Sequence, residues 1–75
     1  MAKVFAQHAT AGEYHLETCF IDGQWEWKVI AIRHKLPEFT GTASSLEAAK
    51  NSAMVRVGLM EASWTNVGPS IEVPD

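Results

Sequence analysis

The chain is poor in most of what marks a secreted domain, a membrane protein or a nucleic-acid binder. It has 75 residues and one cysteine, Cys19, so no intramolecular disulfide can staple it. Small secreted domains usually depend on such staples, and this lack points to a reducing, cytoplasmic setting. No apolar run is long enough to span a bilayer, and Met1-Ala2-Lys3-Val4-Phe5 has no signal-peptide stretch, so no membrane association is expected. Six Lys and Arg stand against nine Asp and Glu, for a formal charge of −3. Phosphate-binding surfaces need a basic patch, and only Arg33-His34-Lys35 forms a cluster. Phosphate loops, dinucleotide fingerprints and HExxH motifs are missing. So are internal repeats and linker-like segments, which leaves one domain over residues 1–75.

What is present is a globular composition, with 47% hydrophobic and 20% charged residues. The pattern centres on Glu13 to Arg33, two alternating runs joined at Asp22-Gly23. Asp-Gly between alternating runs signals a two-residue type I′ turn, which needs positive φ twice. That turn sets Ile21 opposite Gln24, Phe20 opposite Trp25, Thr18 opposite Trp27, Leu16 opposite Val29 and Glu17 opposite Lys28. One face then gathers Tyr14, Leu16, Phe20, Trp25, Trp27 and Val29, a core face. The other gathers His15, Glu17, Cys19, Gln24, Glu26 and Lys28, with Ile30 and Ile32 extending it.

Around this hairpin, Lys3 to His8 reads as a first strand closed by a turn over residues 9–12, with Phe5 near Leu16. The second hairpin strand runs to His34, and Leu36-Pro37 breaks the ladder. Glu38 to Ala43 follows as a short edge strand whose Gly41 implies a bulge or a close approach. Ser44 and Glu47 have capping-box spacing for a helix reaching about Ser63. Leu46, Ala49, Ala53, Val57, Met60 and Trp64 form its core stripe, and its small alanines suit a helix over Trp25 and Trp27. Ala48, Val55, Leu59 and Ala62 form an outer stripe, with Gly58 beside it as a point of close approach. Residues 65–75 read as a flexible tail or a short edge strand. The expected fold is α+β: an antiparallel sheet of three to four strands with one helix on one face, in the order β-β-β-α, with room for a further short strand at either end.

Catalytic and metal-binding constellations find little support. His15 and Cys19 share a face but stand four residues apart, about 13 Å at strand rise, too far to share one ion. His34 lies beyond the paired end of the hairpin, and His8 depends on the first strand. Cys19 faces Glu26, whose charge raises a thiol pKa rather than lowering it. Glu17 and Glu26 are diagonal neighbours on a flat face that offers no cleft. Trp25 and Trp27 share their face with Leu16 and Val29, so they read as core, not as a stacking platform. The chain reads as a non-enzyme without cofactor or metal.

The segment Leu36-Pro37-Glu38-Phe39-Thr40-Gly41-Thr42-Ala43-Ser44-Ser45-Leu46-Glu47-Ala48-Ala49 resembles HicB-type antitoxins. Leu36-Pro37, Gly41, Ser45, Leu46, Glu47 and Ala49 carry the likeness, while Glu38 stands where that family has glycine. The resemblance implies a β-β-β-α-β order. By type alone, a small acidic domain without catalytic residues is also similar to phage-encoded inhibitors such as anti-CRISPR proteins.

The function expected is a binding protein, an inhibitor or accessory factor that meets a protein partner, a larger complex or a second copy of itself. Its contact residues would be Glu17, Glu26, Ile30 and Ile32 on the hairpin, and Val55 and Leu59 on the helix. The alternative is a nucleic-acid-binding module using Lys28, Arg33 and Lys35.

Overall fold

The computed structural model describes residues 2–73. Its centre is the predicted hairpin, β2 (Tyr14–Ile21) and β3 (Gln24–Ala31). Asp22 and Gly23 both take positive φ, 52° and 79°, as the turn demands. The ladder keeps the expected register from Ile21↔Gln24 to Tyr14↔Ala31. The chain leaves β3 at Ala31 rather than His34. There the Ala31 carbonyl accepts from the His34 and Lys35 amides, at 3.1 and 2.8 Å, and Lys35 turns with φ 56°. Ile32, Arg33, His34 and Lys35 are therefore turn residues, and the expected place of Ile32 on the outer hairpin face is corrected.

One strand flanks the hairpin on one side and two on the other in a single five-stranded antiparallel sheet. β4 (Leu36–Ala43) pairs with β3, and β1 (Ala2–Ala11) with β2; β5 (Thr65–Val73) pairs with β1, giving the order β4-β3-β2-β1-β5. The sheet thus has five strands, which the expectation of three to four with a further strand at an end allows. The first strand runs to Ala11 instead of His8, and Ala9, not Phe5, lies opposite Leu16. Phe5 is an exposed side chain. β4 is the expected edge strand, starting at Leu36. Val29 pairs with Phe39 and Ile30 with Pro37, so Glu38 is the extra residue of a bulge. Pro37 is tolerated because an edge strand has one unpaired side. Pro74 and Asp75, the end of the expected tail, lie outside the described residues.

Helix α1 (Leu46–Arg56) crosses β2, β3 and β4. Its N-cap is Ser45, one residue later than the capping box implied, and the Ser45 Oγ accepts from the Ala48 amide at 3.1 Å. Glu47 lies within the first turn, where its carboxylate accepts from Lys50 Nζ at 3.2 Å. The helix stops at Arg56 and not near Ser63. Gly58, at φ 73°, follows Val57 as the left-handed residue after the cap; its amide donates to Val55 O and the Leu59 amide to Met54 O. That is a Schellman ending, so Gly58 terminates the helix instead of marking a close approach within it. Met60, expected in the core stripe, is 94% exposed. Leu59, expected on an outer stripe beside Val55, is half-buried against the core, and that placement is corrected too.

The core assembles as anticipated elsewhere. Leu16, Trp25, Trp27 and Val29 on the sheet meet Ala49 and Ala53 on the helix, and all six are buried. Small residues on α1 admit the two indoles; a Cβ at Gly41 would lie 2.6 Å from the Trp27 ring. Val4, Trp64, Ile71 and Val73 pack against the same cluster from β1, β5 and the segment before β5. A polar chain ties these parts together: Lys50 Nζ donates to Gln7 Oε1 at 3.0 Å, and Gln7 Nε2 donates to Asn66 Oδ1 at 2.7 Å. The Lys50 ammonium also stands 5.8 Å from the Trp64 ring centroid.

Candidate binding face

Because α1 covers one side of the sheet, the opposite side has no covering element among the described residues, and strand alternation decides what it displays. Residues that pair laterally share a face, so the registers trace rows across the sheet. One row runs Thr40, Lys28, Glu17, His8, Thr65 from β4 to β5. The next runs Pro37, Ile30, His15, Thr10, and a third runs Thr42, Glu26, Cys19. Glu17, Glu26, Lys28 and Ile30, all singled out from the sequence, thus stand together on one surface and are half-buried by their neighbours.

On that surface the structure joins His8 to His15, which the hairpin register had already placed there. His8 and His15 stand on adjacent strands with ring centroids 5.1 Å apart and planes at 70°. His15 Nε2 is 3.2 Å from Glu17 Oε2, and His15 Nδ1 is 3.4 Å from Thr10 Oγ1. The cluster was illegible from the sequence because it requires β1 to extend past His8 and pair with β2. The signal that could have found it is the spacing of His8 and His15 about the Ala11-Gly12-Glu13 turn.

Where β1 and β2 stop pairing, beside His8 and Glu17, a cavity of about 260 Å³ is lined by Gln7, His8, Glu17, Thr18 and Val67. Cys19, further along the face, has its thiol pKa raised, first by burial and then by the Glu26 carboxylate. A thiol so placed is a poor nucleophile.

The remaining sequence candidates sit elsewhere. Val55 is exposed on α1, next to an open groove of about 540 Å³ formed with Trp27, Asn51, Ser52 and Arg56. The Arg56 guanidinium lies 5.2 Å from the Phe39 ring centroid, bridging α1 and β4. Leu59 does not share the Val55 surface. Arg33 and Lys35 are exposed on the turn after β3, and Arg33 reaches Glu13 only at 3.9 Å. Lys28, in the middle of the charged row, is separate from that turn.

Among the described residues, no helix is long and apolar enough to cross a membrane. Comparison with protein-family models, curated proteins and solved structures finds no match.

Proposed function

We propose that the chain is a small non-enzymatic binding protein, an inhibitor or accessory factor of the antitoxin-like or phage-inhibitor-like kind, that meets a protein partner through the open face of its sheet. The observation that carries this reading is the lateral row Lys28, Glu17, His8, flanked by Ile30 and Glu26. It is a continuous surface of mixed charge with an apolar member, on paired strands and without a covering element among the described residues. Surfaces of this kind recognise a partner by charge complementarity and gain affinity from the apolar contact beside the charged row. The raised Cys19 thiol supports a binding role over a thiol-based catalytic one.

The second reading, a nucleic-acid-binding module, draws on Arg33 and Lys35 exposed together on one turn. Salt separates the two. Phosphate contacts lose affinity steeply with added salt, whereas a mixed protein interface with apolar contact holds better.

The test is capture of a partner from bacterial lysate, with the mass of the free chain followed by light scattering over a dilution series. The expected outcome is a defined protein complex that survives added salt, is lost in the Glu17→Lys/Glu26→Lys variant and is kept in Val55→Asp. Capture of nucleic acid alone, lost with salt and with Arg33→Ala/Lys35→Ala, would transfer the assignment to the second reading.

A further inference from the structure

We propose that two copies of the chain pair through the outer edge of β4, antiparallel about a twofold axis at Thr40, and so extend the sheet from one molecule into the next. The phase of the backbone decides which groups are free to do this. Just beyond the β2–β3 ladder the Ile32 amide donates to Glu13 O at 3.0 Å. Bonded pairs alternate along an antiparallel ladder, so Ile30, Lys28 and Glu26 bond to β2. Val29, Trp27 and Trp25 then turn their backbone groups towards Phe39, Gly41 and Ala43 of β4. The N–H and C=O groups of Thr40 and Thr42 therefore point away from the sheet. β4 ends the strand order, so those groups have no strand to bond among the described residues.

Edge strands are normally guarded by charge, proline or a bulge. β5, the other edge, carries Pro69 and Glu72 and lies against the register shift between Val4 and Ala6. On β4 the guards sit at one end only, in Pro37 and the Glu38 bulge. The run Phe39-Thr40-Gly41-Thr42-Ala43 has no charge and no proline. Thr40 and Thr42 are exposed, and Phe39 is 39% exposed.

The strand that fits this edge is β4 of a second copy. Only residues whose groups point outward form bonded pairs, which leaves Thr40 opposite Thr40, Thr40 opposite Thr42, or Thr42 opposite Thr42. The first register sets Phe39 of each copy opposite Gly41 of the other, on the helix side of the sheet. Gly41 has no side chain there, and the Trp27 ring lies over it. That ring lines the open groove of about 540 Å³, beside Val55 and Arg56. An aromatic side chain across from a strand glycine fills the space the glycine leaves. Phe39 of the second copy thus enters the groove against Trp27 and Val55, and the twofold repeats the contact. The second register sets glycine against glycine, and the third carries Phe39 past the groove to Ser45. On the open side the first register places Thr40 against Thr40 and Thr42 against Glu38, with hydroxyl donors available and no like charges opposed.

The pairing is separate from the Glu17 and Lys28 row, and its test uses the free chain alone. Sedimentation equilibrium is run over a dilution series, with amide hydrogen exchange read by NMR at both ends of the series. The expected result is a dimer of twice the 8.3 kDa chain mass that dissociates on dilution, because so short a strand contact falls at the small end of specific interfaces. The Thr40 and Thr42 amides should slow as the dimer forms, while the Phe39 and Gly41 amides, already bonded to β3, stay unchanged. Thr40→Lys sets two ammonium groups face to face, and Thr40→Pro removes an outward donor without touching the β3 ladder. Each should weaken the dimer by about tenfold or more, with circular dichroism still that of the folded chain. Thr65→Lys, on the β5 edge, should leave the dimer as it was. A chain that stays monomeric up to millimolar concentration overturns the proposal. So does a dimer whose Thr40 and Thr42 amides exchange as in the monomer, or one that both Thr40 variants leave intact.

Discussion

The Thr18 hydroxyl bonds both backbone groups of Gln7: it accepts from the Gln7 amide at 2.8 Å and donates to the Gln7 carbonyl at 2.9 Å. Those are the bonds that a ladder partner's own backbone would otherwise make. They fall one residue past His8↔Glu17, the last lateral pair between β1 and β2. A side chain has replaced the strand at this point, and Thr18 is the buried polar residue among the described ones. Thr18→Val keeps the shape and removes the hydroxyl, leaving a donor and an acceptor unpaired. The expected loss is about 1–3 kcal/mol by chemical denaturation, with Thr18→Ser losing less.

Two glycines should respond to alanine in different ways. At Gly41 the added methyl meets the Trp27 indole at 2.6 Å, so the ring or β4 must move; a loss of about 1–3 kcal/mol is expected. Tryptophan fluorescence and near-ultraviolet circular dichroism should change with it. At Gly58 the methyl meets nothing within 4 Å, and only the left-handed backbone resists it. That substitution should cost about 1–2 kcal/mol with an unchanged tryptophan spectrum. An altered spectrum in Gly58→Ala would contradict the helix ending described above.

Lys50 acts as a tie between helix and sheet. Its side chain is only 16% exposed, and it reaches Gln7, Glu47 and Trp64 at once. Lys50→Ala should lower stability by about 1–3 kcal/mol, because Gln7 loses its charged donor in a partly buried place. Hydrogen exchange should accelerate in β5 more than in β2 or β3, since Asn66 is held through Gln7.

Cys19 gives a pH-dependent readout. Burial and Glu26 raise its thiol pKa, so at pH 8 the folded chain holds less thiolate than the unfolded one. Alkylation by iodoacetamide should therefore be slower in the native protein than in denaturant, and faster in Glu26→Gln than in the wild type. The linked stability has a definite sign. A raised folded-state pKa contributes fully below the ordinary thiol value of 9.0 and is lost as pH climbs through the folded value. Cys19→Ser should flatten that alkaline decline.

The register of the hairpin, though not the end of its second strand, was legible to the residue because a two-residue turn and a one-sided aromatic pattern each specify the same pairing. The core followed from it, down to Ala49 and Ala53 beneath the tryptophans. The helix end was misread because Met60 and Trp64 continue the helical period in sequence, while Gly58 ends the helix through backbone geometry that periodicity does not register. The first strand was underestimated for a related reason. Ala9 and Ala11 carry little strand propensity and are ordered by pairing with Leu16 and Tyr14. Of the contact residues read from the sequence, Glu17, Glu26, Lys28 and Ile30 share a face because the hairpin alone places them. Ile32 and Leu59 do not join it, since each lies just past an element end that was set too late. His8 needed a strand pairing that local pattern does not encode.

The strand that closes the sheet is also the most remote in sequence from its neighbour. β5 pairs with β1 between residues such as Ala2 and Val73, so that ladder forms only after the whole intervening chain is enclosed. Closing so long a loop is entropically dearer than closing the two-residue hairpin, which places β5 late in folding and early in local opening. When β5 detaches, β1 becomes a bare edge with unpaired backbone groups, and a detached β5 from another molecule fits it in the same register. At high concentration the same pairing that completes one molecule can link two by exchange of their last strands.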